Sequence, residues 1–323
     1  MDPLAALAAL HAYSDPLAWL SVALFLGVTV LFAVDETWAR RLGAVAWTVF
    51  GVFWASVFPY FFGVMHSGIE SALSLLAVPA SVYAGYLLLR GRSSMLVLTR
   101  AVGLMGLVYL PAETVPVVRR TLIETVAAQT SWLVGALGYP HDLVAGPVYG
   151  YRSQLVFHDG AQTFVTYIEI ACTGIGSMAI FAGLIAAVRA PLRRKVRGLA
   201  VAVAVIYALN VVRNVFIAVA FGDQWFQVFV PQVMALVGYD RPGLVSFFIA
   251  DRVISQFASV VALVGIAYLV AREVPELLDL AEELLYALTG REIDLGGPGR
   301  GGSGGAGGSP PSRPVRADGD GRP

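Results

Sequence analysis

Residues 189–222 read RAPLRRKVRGLAVAVAVIYALNVVRNVFIAVAFG, and this stretch decides the fold. It opens with the densest basic loop of the chain, Arg189 to Arg197. From Gly198 to Gly222 it is then apolar for long enough to cross about 30 Å of hydrocarbon at about 1.5 Å per residue, with one arginine, Arg213, in its outer half. A basic loop feeding an apolar span predicts a membrane helix whose basic end is cytoplasmic, because inner loops carry the excess of Lys and Arg.

Working outward, six more runs have the same character: Pro16 to Val34, Leu42 to Met65, Ser71 to Leu89, Met95 to Leu110, Cys172 to Val188 and Asp251 to Val270. Arg100, Pro111 and Pro116 blur the limits of the fourth. Apolar residues make up 57% of the chain and charged ones 14%, with a mean hydropathy of +0.72. A soluble domain carries about a quarter charged residues, so the expectation is an all-α polytopic membrane protein with about seven transmembrane helices. Twenty-two basic residues balance 22 acidic ones, which points to no nucleic-acid partner. Residues 1–17 lack a basic n-region and carry Asp2 and Asp15, so the first span is expected to be retained rather than cleaved.

Alternation from the basic loop puts Arg40, Arg41, Arg90 and Arg92 in the cytoplasm too. The N-terminus is then outside and the C-terminus inside, and residues 115–171 and 223–250 face outward. Val115 to Leu137 reads as an amphipathic or interfacial helix. Tyr149 to Phe157 and Thr163 to Ile170 read as a short extracellular β-hairpin before the fifth helix, turning at His158-Asp159-Gly160. Trp225 to Gly238 is aromatic and too short to span, and predicts an interfacial or re-entrant cap. Glu273 to Leu288 has a helical apolar stripe and an acidic face suited to the basic loop. The membrane domain is therefore expected over residues 1–295, with a functional core at about 169–270. Residues 296–323, rich in Gly, Pro, Ser and Arg, predict a disordered cytoplasmic tail.

The chain has one cysteine, Cys172, so it forms no intrachain disulfide. In this topology Cys172 opens the fifth span at its outer end, Arg252 opens the seventh at the same end, and Arg213 sits about 12 Å below the outer end of the sixth. An arginine so placed costs at least about 2.5 kcal/mol and needs a partner, for which Glu113 and Glu169 are the acids on offer. Asn210, Arg213 and Asn214 share one helix face, as do Arg252, Ser255, Gln256 and Ser259, while Thr173, Gly176 and Ser177 are small groups beside Cys172. Three helices thus turn polar stripes to one outer pocket. A lone membrane cysteine is otherwise an apolar filler; here a helix N-terminus and two guanidinium groups are expected to favour its thiolate. His11, His66, His141 and His158 show no metal-ligand spacing, so neither a metal nor a cofactor is expected.

ACTGIGSM around Cys172, LNVVRNVFIA around Arg213 and DRVISQ around Arg252 resemble the exosortase and archaeosortase superfamily of membrane cysteine transpeptidases. The bacterial branch usually has histidine at the third position; arginine there is similar to the archaeal branch. The resemblance implies cleavage of a C-terminal sorting signal on surface proteins such as the S-layer glycoprotein. That signal comprises a Pro-Gly-Phe motif, a transmembrane helix and a basic cluster, and cleavage is associated with transfer of the new C-terminus to a membrane lipid. Cys172 would form a thioester, and Arg213 and Arg252, which do not deprotonate, would hold the thiolate and the oxyanion. His158, Tyr167 or water would protonate the leaving amine. The active site is expected on the extracellular side of the cell membrane. Two other readings stay open: an anion transporter or channel built on Arg213 and Arg252, which leaves Cys172 idle, and an intramembrane cysteine protease with water as acceptor.

Overall fold

The structure is a computed structural model that describes residues 12–63, 68–92, 94–160 and 162–289. Its helices are α1 (Ser14–Phe32), α2 (Glu36–Gly63), α3 (Gly68–Leu89), α4 (Ser94–Thr114), α5 (Pro116–Ala136), α6 (Ile175–Ala187), α7 (Leu192–Gly222), α8 (Val230–Val237), α9 (Leu244–Glu273) and α10 (Glu276–Thr289). Six of them, α1 to α4, α7 and α9, are long and apolar enough to cross a membrane, and α6 is a shorter apolar helix. The protein is a multi-pass membrane protein. The histidines at 11 and 66 and the expected tail at 296–323 lie outside the described residues.

Local chemistry sets the helix limits. Asp35 Oδ1 accepts the backbone N–H groups of Thr37 at 2.8 Å and Trp38 at 3.1 Å, capping α2. Pro111 lies inside α4, which runs on to Thr114, and Pro116 begins α5 after the extended Val115, the position where a missing N–H costs nothing. The first four helices close around Phe25, Trp47 and Leu88, with Trp47 Nε1 donating to Thr99 Oγ1 at 2.9 Å in the buried centre. Helix α6 then packs tightly on α4. A Cβ on Gly183 would fall against the Ala101 carbonyl and lie 2.9 Å from the Met105 nitrogen, so the two backbones approach closely only because this residue is glycine.

The segment between α5 and α6 forms a three-stranded antiparallel sheet: β1 (Asp142–Ala145), β2 (Arg152–Asp159) and β3 (Gln162–Tyr167), in the order β1-β2-β3. The hairpin is shifted from its sequence reading. Tyr149 and Tyr151 stack on each other in the loop ahead of β2 instead of pairing, and β1 adds a strand that the sequence reading lacks. The mostly helical class stands, with this small sheet added. Leu155, Phe157 and Phe164 point into a second core completed by Ile123, Val126 and Val134 of α5 and Val211, Val215, Ala218 and Phe221 of α7. The C-terminal half of α7 is therefore sheathed by sheet and helix. At the junction, Glu124 of α5 accepts the Arg152 backbone N–H and the Arg120 guanidinium, each at 3.1 Å, which holds its carboxyl below the usual value.

The N-terminal half of α7 joins a third core with Phe181, Ile185, Ile266, Val270 and Val274. Ion pairs from Arg194 to Glu276 at 2.6 Å and from Arg197 to Glu273 at 3.3 Å fix the start of α10 and the end of α9, respectively, to the basic start of α7. Helix α9 is tied to the other end of α7 by Ser246, whose Oγ donates to the Ala220 carbonyl at 2.7 Å and accepts the Phe226 N–H at 3.2 Å. Between Phe248 and Ser255 α9 winds as a π-helix, the wide form that recurs at functional sites.

Candidate functional site

Cys172 does not begin a helix. It lies in a 3₁₀ turn, Ile170–Thr173, that precedes α6, and its N–H donates to the Glu169 carbonyl at 2.9 Å. Gly174 ends the turn at φ +77°, a left-handed conformation that favours glycine, and a side chain there would also crowd Asn210. The Thr173 hydroxyl is buried and donates back to Ile170 O at 2.7 Å, tightening the turn. Two asparagines of α7 then fix its position. Asn210 Nδ2 and Asn214 Nδ2 both donate to the Cys172 carbonyl, at 2.5 and 2.7 Å, and Asn214 is only 2% exposed. Both lone pairs of that oxygen are engaged, so the peptide plane carrying the thiol is set by α7.

One helical step from the asparagines, Arg213 points to α9. Its Nη2 lies 2.5 Å from Asp251 Oδ1, and Asp251 Oδ2 lies 3.5 Å from Arg252 Nε. The side chains are 26%, 15% and 50% exposed for Arg213, Asp251 and Arg252, so the carboxylate is the most enclosed of the three. Arg213, Asp251 and Arg252 form one chain of charge across the two helices. Glu113 instead pairs with Arg119 at 3.4 Å, and Glu169 serves Cys172 through its backbone. Asp251 is the partner of Arg213 that reading the sequence misses. Its signal is the Asp-Arg pair itself, an acid placed where a membrane arginine needs a partner.

Arg213, Glu169 and Asp251 are the charged groups around the Cys172 thiol. The thiol sits ahead of α6 rather than on its first turn, and the two acids offset the positive charge of Arg213. The Sγ itself is 4.0 Å from the Tyr167 carbonyl.

Beside the turn lies a cleft of about 630 Å³. Ala171 and Gly174 form its Cys172 end, α7 supplies one wall from Ile206 to Phe216, and α9 supplies the other from Ile254 to Ile266. Each wall is about 15 Å of helix. Asn210, Arg213, Ser255 and Gln256 bring polar groups to it, and the Ser255 hydroxyl is buried with no partner. Val212, Leu209 and Leu263 line it and are exposed apolar groups, so the cleft has a rim suited to lipid.

The proton-donor candidates separate. The Tyr167 side chain is exposed, close in sequence to Cys172. His158 pairs across the strands with Thr163, at the opposite end of the hairpin from Tyr167, and faces Asp142 at 3.4 Å. Tyr167 is four residue steps along β3 from Thr163, about 13 Å, so the fold does not bring His158 to the thiol. Among the described residues no three His, Cys, Asp or Glu side chains gather as a metal site.

The archaeosortase A of Haloferax volcanii is 49% identical over 292 residues, covering 87% of this chain and 96% of the relative. The archaeosortase A of Natronomonas pharaonis is 45% identical over 305 residues, covering 92% and 96%. No solved structure matches. The model of the transmembrane exosortase family matches residues 11–239, which include Cys172 and Arg213 and stop short of Arg252, and on these matches the chain belongs to the transmembrane exosortase family.

Proposed function

We propose that this protein is a cysteine-dependent transpeptidase that removes the C-terminal sorting signal of surface proteins at the outer face of the membrane. The observation that carries the reading is the Cys172 carbonyl held by Asn210 and Asn214, with Arg213 on the same face of α7. A nucleophile fixed by its backbone and served by guanidinium groups suits acyl transfer, because pre-set positive charge stabilises the oxyanion without reorganisation.

In this mechanism the thiol gives its proton to water as the substrate seats, and the sulfur attacks the carbonyl of a Pro-Gly-Phe-type motif. Arg213 and Arg252 bind the developing oxyanion. The C–N bond breaks, the amine takes a proton from water or Tyr167, and a thioester remains. A nucleophile on a membrane lipid then releases the new C-terminus from Cys172. The cleft between α7 and α9 receives the substrate's transmembrane helix laterally, which sets the motif at the level of Ala171 and Gly174. The aromatic segment of Trp225 and Phe226, packed on Phe216 of the cleft, is placed to hold the phenylalanine of the motif. The orientation follows the basic start of α7: α6, with the turn before it, is a seventh crossing, Cys172 faces outward, and α10 is cytoplasmic.

The test is to express Cys172→Ala beside the unaltered chain with a surface protein bearing a Pro-Gly-Phe signal, and to measure the mass of that client's C-terminus. A shortened, lipid-bearing C-terminus is expected only with Cys172 present. Identical products from both proteins would remove Cys172 from the chemistry. A shortened product without lipid would make the protein a protease with water as acceptor.

A further inference from the structure

We propose that Asp251 is a positioning residue of this site, a carboxylate that holds Arg213 and Arg252 together as one unit across α7 and α9. The inference rests on the transpeptidase reading and adds a residue to it. Asp251 uses both oxygens, one on each arginine, at 2.5 and 3.5 Å. It is more enclosed than either partner and sits within the π-helical stretch of α9. Because a π-helix closes a wider ring than an α-helix, it lets Asp251 turn to α7 while Arg252, the next residue, still reaches back to it.

The charge arithmetic supports the role. Two guanidinium groups brought together in a poorly screened site repel each other, and a carboxylate between them removes that penalty. The three groups carry a net charge of +1, so with a Cys172 thiolate the cluster is neutral. Without Asp251 the two arginines would carry +2 and separate. Glu169, Arg213 and Asp251 are the charged groups that act on the Cys172 thiol; Arg252 joins the site through Asp251. Loss of Asp251 therefore has two opposite effects: the oxyanion loses its aligned donors, while the thiol loses a negative neighbour.

Cys172 is the single cysteine of the chain, so alkylation reports on it alone. The experiment compares Asp251→Asn, Asp251→Glu and Cys172→Ala in full-length protein in native membranes. It follows client processing and, at a fixed mildly alkaline pH, the rate of iodoacetamide labelling. Asp251→Asn is expected to slow processing by about tenfold or more while labelling of Cys172 becomes faster than in the unaltered protein. Asp251→Glu, which keeps the charge, should process at an intermediate rate and label normally. A purely structural role would slow processing with no gain in labelling and no recovery by glutamate, and that result overturns the proposal. So does processing at the unaltered rate in either Asp251 variant. If Asp251→Asn does not accumulate, the glutamate variant decides on the same terms. Continued processing by Cys172→Ala would instead overturn the transpeptidase reading, a failure that shows independently of Asp251.

Discussion

At the scale of single residues, the state of Cys172 governs what can be measured. It is the single thiol of the chain, so alkylation reads it alone. The positive charge of Arg213 stands near it. Arg213→Gln is therefore expected to slow labelling of Cys172 and to lower client processing on the order of a hundredfold. Labelling that quickens, or stays the same, would separate Arg213 from the thiol. Cys172, Arg213 and Arg252 are all legible in the sequence, because a lone thiol and membrane arginines stand out against apolar helices. The partner of Arg213 is not. The sequence offers Glu113 and Glu169, and the chain uses Asp251, because the phase of α9 relative to α7 depends on a π-helical winding that no residue pattern announces.

At the scale of elements, hydropathy finds the long helices but sets some starts six or seven residues late, since a long apolar run has one stable form in lipid and its polar first turns carry no apolar signal. The departures have local causes. Gly174 takes a left-handed conformation, so α6 begins at Ile175 and leaves Cys172 in a turn. Strand β1 is only four residues and shows no alternation of burial, which leaves it invisible to a pattern of period two. The contact between α4 and α6 gives a direct test of packing. Gly183→Leu places a side chain where the structure has no room for a Cβ, and should cost about 1–3 kcal/mol or more. A lowered thermal midpoint in detergent, with client processing lost in parallel, is the expected outcome. An unchanged midpoint would show that α4 and α6 separate freely.

At the scale of the whole molecule, α7 runs through two cores. Its C-terminal half is enclosed by α5 and the sheet, its N-terminal half by α6, α9 and α10, and the cleft opens between it and α9. If a substrate helix enters there, filling the cleft should exclude large clients and spare small reagents. Ala258→Trp, which adds a bulky ring to the wall, is expected to stop processing of a membrane-anchored client while iodoacetamide still labels Cys172 at the usual rate. Equal loss of both would mean that the ring disturbs the turn rather than the entry. The carbonyl clamp of Asn210 and Asn214 has a mechanical consequence as well. Because the Cys172 turn is fastened to α7, it travels with that helix, whereas Arg252 travels with α9. The site is thus cut by a seam that runs the length of the cleft, with the Arg213–Asp251 ion pair as its latch. Any wedge driven into that seam pulls the warhead away from one of its two cations without touching either, and such a wedge would inhibit the enzyme from within the lipid.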